Sequence, residues 1–176
     1  DHIIFIVDTS ASMTALEGKK SRLELVKEKM LETLDKVDQQ EMTIIVAKET
    51  PELLIERSQS RKEIVELVEQ LGPSYASANL IDSINMAKSL LGEENGNIQL
   101  LTDNFSKEEP LELHKNTTFF AHNIGHSHQN LAVETFGVTM RESKVVGVVT
   151  VKNEGEDSKD FDLSIYNDQE EVLQQV

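Results

Sequence analysis

The stretch His2-Ile3-Ile4-Phe5-Ile6-Val7-Asp8-Thr9-Ser10-Ala11-Ser12 decides how the rest of the chain is read. Five consecutive apolar residues, Ile3 to Val7, are mostly β-branched and show no polar alternation. Such a run describes a strand covered on both faces, as the strands of parallel sheets are. At Asp8 it gives way to oxygen-bearing side chains, Asp8, Thr9, Ser10 and Ser12. A carboxylate and two hydroxyls at alternate positions then stand at the carboxyl end of a central strand, where open α/β sheets bind their ligands. Hard oxygen donors of this kind suit Mg²⁺, Mn²⁺ or Ca²⁺. The bland alternative is a turn followed by a helix cap, since Asp and Ser also favour those positions.

Beyond this stretch, strand and helix patterns alternate. Ser21 with Glu24 three residues on forms a capping-box pattern, and Leu23, Val26, Met30, Leu34 and Val37 recur at helical spacing, which predicts a helix over Arg22 to Val37. Met42 to Ala47 reads as a strand, and Pro51 to Arg57 as an edge strand. Ser60 opens a second helix with Ile64, Leu67, Val68 and Leu71 on one face, ended by Gly72-Pro73. A third helix runs from about Asn79 to Leu91, and Ile98 to Leu101 is a further buried strand ending in Thr102-Asp103-Asn104. Pro110 to Lys115 suggests a short helix, and Thr117 to Ala121 a strand. The alternation predicts an α/β domain, a Rossmann-like, doubly wound, mostly parallel sheet over residues 1–127.

From His128 onward the texture changes. Leu131 to Met140, Lys144 to Val151, Phe161 to Tyr166 and Glu170 to Val176 read as four strands with no helix between them. They predict a small all-β segment over residues 128–176, about half the usual length of an immunoglobulin-like sandwich.

Bulk properties narrow the function. The 176 residues carry 32 acidic and 17 basic side chains, a net charge of -15, which opposes binding to nucleic acid and to an anionic membrane surface. There is no cysteine, so disulfides and thiolate metal sites are excluded. No apolar run reaches the length that crosses a bilayer, and no signal peptide is visible. The chain opens within two residues of a core strand, which reads as a segment excised from a longer protein.

A second carboxylate, Asp103, ends the strand Ile98 to Thr102 much as Asp8 ends the first. Aspartates at the ends of neighbouring parallel strands can converge on one cation with the hydroxyls between them.

Asp8, Ser10 and Ser12 resemble the D-x-S-x-S motif of von Willebrand factor A (vWA) domains, and Leu101-Thr102-Asp103-Asn104 resembles that family's L-T-D-G segment. The resemblance implies a metal-ion-dependent adhesion site. Ser10 and Ser12 would touch Mg²⁺, or Mn²⁺ or Ca²⁺ in its place, while Asp8 acts through water and Asp103 supports the ion from behind. The family's third element, a threonine in T-N-L-x-x-A-L, corresponds to Ala78-Asn79-Leu80-Ile81-Asp82-Ser83-Ile84, so Ala78 replaces the threonine. Ser77 is the possible substitute. The order of segments is similar to bacterial membrane proteins with an N-terminal double-transmembrane segment, a short vWA domain and an immunoglobulin-like, cell-adhesion-related β-module. That likeness implies a membrane-anchored protein whose segment here is extracytoplasmic and binds a protein partner through an acidic side chain. The alternative it leaves open is a scaffolding module that works without metal.

His122, His126 and His128 lie close in sequence, as zinc ligands can, but their Asn, Gly and Ser neighbours read as a polar connection. A haloacid dehalogenase-type phosphohydrolase would need a second aspartate two residues after Asp8, where Ser10 stands, and no glycine loop follows to cradle phosphate. No enzyme is expected.

Overall fold

The computed structural model describes residues 2–37, 39–105, 112–125, 131–141, 144–153, 160–166 and 171–176. The opening apolar run forms β1 (His2–Asp8), and all of its residues are buried. A single 3₁₀ turn, Ala11–Thr14, follows and is pinned by the buried Met13. Then comes a small hairpin, β2 (Leu16–Glu17) and β3 (Lys20–Ser21), turning at Gly18 with φ +69.

Helix α1 (Arg22–Lys36) starts on the anticipated capping box. Ser21 accepts from the Glu24 N–H, and the Glu24 side chain returns to the Ser21 N–H. Strands β4 (Glu41–Ala47) and β5 (Glu52–Ser58) follow, then α2 (Arg61–Gln70), capped by Ser60, and α3 (Leu80–Leu91), capped by Asn79. Next are β6 (Gly96–Thr102), β7 (Thr117–Asn123), β8 (Leu131–Arg141) and β9 (Lys144–Asn153). A separate two-stranded sheet, β10 (Ser164–Tyr166) and β11 (Val172–Gln175), ends the chain.

The main sheet has the order β5-β4-β1-β6-β7-β8-β9. Strands β4, β1, β6 and β7 are mutually parallel, whereas β5 pairs antiparallel with β4, and β8 and β9 continue antiparallel from β7. The expected doubly wound sheet is therefore present, with β1 inside it. Its two faces are filled separately. Ile3, Phe5 and Val7 pack with Leu23, Val26, Met30 and Leu34 of α1 and Ile64 and Val68 of α2. Ile4 and Ile6 pack with Ile84, Ala87 and Leu91 of α3 on the opposite face. Burial on both sides explains the unbroken apolar run of β1. Each such side chain contributes roughly 1.5–3 kcal/mol of transfer free energy.

Two expectations need adjustment. Residues 112–115, the described part of the proposed helix Pro110 to Lys115, hold no helix; the remainder lies outside the described residues. The four C-terminal strands exist, but β8 and β9 extend the α/β sheet from β7 instead of forming a sheet of their own. Alternation in a sequence gives a strand's faces but not its neighbour, which is why the partner was not legible. The boundary expected near residue 128 falls among residues 126–130, outside the described residues.

The chain leaves β1 by way of α1 to β4 on one side, and returns through α2 and α3 to β6 on the other side of β1. Between β1 and β6 the winding thus reverses. In open α/β sheets, such a reversal opens a crevice at the carboxyl ends of the two strands. Asp8 ends β1, and Asp103 directly follows β6.

Candidate functional site

At this crevice the Asp8 carboxylate, buried at 3% exposure, holds both loops. Its Oδ1 accepts from the Ser10 N–H at 2.9 Å, a turn across two residues that Asp favours. Its Oδ2 accepts from the Thr102 hydroxyl at 2.6 Å, which ties the end of β1 to the end of β6.

The two serines and the second aspartate form a chain of hydroxyls. Ser12 Oγ donates to Asp103 Oδ1 at 3.0 Å, and Ser10 Oγ lies 3.2 Å from Ser12 Oγ. Because the single Ser12 hydroxyl proton is committed to Asp103, Ser10 is the donor of the second bond. Each serine oxygen then still has a lone pair to offer an ion. Two oxygens in adjacent positions around Mg²⁺, each about 2.1 Å from the ion, stand about 3 Å apart, so the 3.2 Å between Ser10 Oγ and Ser12 Oγ fits a small hard cation. All donors are oxygen, as such an ion requires.

The third loop departs from this pattern. Ala78 packs against the apolar layer beneath α3, and Ser77 is exposed. Asn79 turns its side chain to the Asp82 N–H and carboxylate, capping α3. The oxygen of this loop that does reach the first loop is Ser74: its Oγ accepts from Thr9 Oγ at 3.2 Å, and its N–H donates to the Thr9 carbonyl at 2.6 Å. The structure thus joins Asp8, Ser10, Ser12 and Asp103 in one hydrogen-bonded cluster, and Ser77 makes no side-chain hydrogen bond to it.

Four contributors were not anticipated. Thr102 and Ser74 act across 94 and 65 residues of chain, and Met13 anchors the loop from below. The fourth is Arg22, whose Nη1 donates to Asp103 Oδ2 at 2.6 Å and whose Nε donates to Glu17 Oε1 at 2.8 Å. The apolar residue just past Ser12 was the one local signal for Met13. The other three pairings leave no mark in spacing.

His122 is a residue of β7 rather than of a loop, and it is buried. Its Nε2–H donates to Gln99 Oε1 at 2.8 Å, and its Nδ1 lies 3.2 Å from Thr135 Oγ as acceptor. Burial pushes its pKa down to about 4, and Lys29 adds to the shift. His126 and His128 lie outside the described residues. Among the described residues no group of three or more His, Asp or Glu is gathered for a metal.

A family model for the von Willebrand factor type A domain matches residues 3–106. No significant match is found among curated protein sequences. Among solved structures, the chain is similar to the conserved hypothetical protein BatB from Bacteroides thetaiotaomicron, with 19% identity, 88% of this chain and 81% of that one covered, and a TM-score of 0.61. It is also similar to an aerotolerance-related membrane protein from Bacteroides fragilis, with 16% identity, 98% and 79% covered, and a TM-score of 0.60. Proximal thread matrix protein 1 of the mussel byssus shares 20% identity over 61% of this chain and 31% of that one, with a TM-score of 0.50. With the family model spanning more than half of the residues and the sheet wound as described, the chain belongs to the von Willebrand factor type A domain family.

Proposed function

We propose that this chain is a protein-interaction module that docks an acidic side chain of its partner at the crevice between β1 and β6, through a divalent cation. Ser10 and Ser12 would hold the ion, with Asp8 and Asp103 behind them; Mg²⁺ is the first candidate, and Mn²⁺ and Ca²⁺ the others. The observation that carries this reading is the pair Ser10 Oγ and Ser12 Oγ, 3.2 Å apart and so at cis-ligand spacing, with Asp103 Oδ1 accepting from Ser12 behind them. Bound there, the ion would supply an open position for a carboxylate. With Ala78 in the third loop, that side of the ion is left to water or to the partner. Affinity should therefore be modest, because it follows the number of protein ligands.

Interaction rather than catalysis also suits Asp8. Both of its oxygens are engaged by Ser10 and Thr102, an arrangement that organises loops and leaves no free nucleophile. The likeness to an aerotolerance-related membrane protein supports placing the full-length protein at a membrane, and the reading puts this segment outside the cytoplasm. In the described residues no helix is long and apolar enough to cross a bilayer.

A metal-free scaffolding role is favoured by one observation, the Arg22 guanidinium already seated on Asp103. Calorimetric titration with Mg²⁺, Mn²⁺ and Ca²⁺ separates the two. Metal-assisted docking gives saturable heat with the wild type and at least tenfold weaker binding in Ser12→Ala. Titrations without heat for all three ions would leave the scaffolding role.

A further inference from the structure

We infer that Arg22 is the built-in counter-ion of this site, competing with a divalent cation for Asp103 and so setting the cation concentration at which the site fills. The inference rests on the metal-assisted reading above.

Arg22 is the first residue of α1. A cation there opposes the helix macrodipole, whose positive end lies at the N-terminus. Its position is explained by what it meets: Asp103 Oδ2 at 2.6 Å and Glu17 Oε1 at 2.8 Å. The backbone holds it there as well. A Cβ on Gly125, which has φ +114, would stand 2.5 Å from Arg22 Nε and 2.9 Å from Glu17 Oε1, so the bare glycine lets the ion pair pack against the chain after β7. The Arg22 side chain is 24% exposed and that of Asp103 6%, so water screens the pair weakly.

The Asp103 carboxylate alone separates the guanidinium from Ser12 Oγ, with one oxygen on each. An ion at the serines and the guanidinium therefore draw on the same negative charge. Two effects of Arg22 oppose each other: it orients Asp103, which helps the ion, and it repels the ion directly. Charge repulsion across one carboxylate group in a partly desolvated site outweighs the gain from orientation, because a divalent ion doubles the Coulomb term. The loops also stay in place without metal, since Asp103 already has a cationic partner. Cation loading is then a separate event, governed by concentration, and not a condition for folding.

The test is calorimetric Mg²⁺ titration of the wild type, Arg22→Gln and Arg22→Lys, together with melting in EDTA. Gln keeps a donor for Asp103 without the charge, whereas Lys keeps the charge without the fork. Arg22→Gln is expected to bind Mg²⁺ at least tenfold more tightly than the wild type, to melt lower in EDTA and to recover on adding Mg²⁺; Arg22→Lys should bind close to the wild type. Unchanged or weaker Mg²⁺ binding by Arg22→Gln, beside measurable binding by the wild type, overturns the role of Arg22 and leaves the site intact. Absence of heat from all three proteins overturns the metal reading itself. A readout on the wild type needs no substitution: Mg²⁺ should move the ¹⁵N resonances of the Arg22 guanidinium, and resonances that stay fixed through a saturating titration contradict the competition.

Discussion

At the residue scale, Asp8 organises the crevice by accepting a hydrogen bond on each carboxylate oxygen. It receives a backbone N–H from Ser10 and a hydroxyl from Thr102, so the loop after β1 and the end of β6 are held by one carboxylate. Thr102 is itself buried. Replacing it with valine removes the donor to Asp8 Oδ2 and leaves a buried carboxylate oxygen unpaired, a loss of about 1–3 kcal/mol of stability. Urea melts of Thr102→Val and Thr102→Ser check this, since serine retains the hydroxyl and should recover most of the loss. Asp8, Ser10, Ser12 and Asp103 were legible because a carboxylate and hydroxyls interrupt apolar runs at strand ends. Thr102 was visible only as the last residue of a strand, and its role depends on a partner 94 positions away. Ser77, chosen to replace the missing threonine, is exposed, while Ser74 makes the contact with Thr9. Three residues of loop geometry decide between them, and no periodic pattern reports that geometry.

At the element scale, the start of α1 does double duty. Its capping box, Ser21 with Glu24, fixes the first turn, and Arg22 beside it reaches Asp103. Ser21→Ala should cost about 1 kcal/mol by denaturant unfolding, the usual effect of removing such a cap. Gly125→Ala adds a methyl group where Arg22 and Glu17 already sit, at a backbone angle that disfavours side chains. Its cost should be about 1–3 kcal/mol, well above that of an ordinary surface change. The helices and parallel strands were legible, since caps and 3.6-residue spacing are local. The β2–β3 hairpin was not, because two-residue arms carry too few side chains to alternate.

Across the whole molecule, the reversal of winding beside β1 places the crevice, and the antiparallel extension through β8 has its own consequence. His122 on β7 pairs beside β8, which brings Thr135 to its ring. Its pKa is about 4 in the fold against 6.5 unfolded. Between those values the unfolded chain binds a proton that the folded one refuses, so stability is full above pH 6.5 and falls as the pH drops toward 4. His2, buried at the start of β1, is lowered in the same direction by burial and by Arg57, and so adds to the loss. For His122 alone the loss from pH 7.5 to pH 5 is about 2 kcal/mol. Urea melts at both pH values should show a smaller difference in His122→Gln than in the wild type. The sequence showed strands after residue 128 but not that the first two would join the α/β sheet, and His122 was therefore placed in a connection instead of a covered strand.

The central claim is that two distant aspartates and two serines share one cation at the reversal of the sheet. Crystals grown with Mn²⁺ and recorded for its anomalous signal test this most directly. The account predicts one peak beside Ser10 Oγ and Ser12 Oγ with Asp103 behind it. A map with no peak there at millimolar Mn²⁺, or with the ion seated elsewhere, would contradict it.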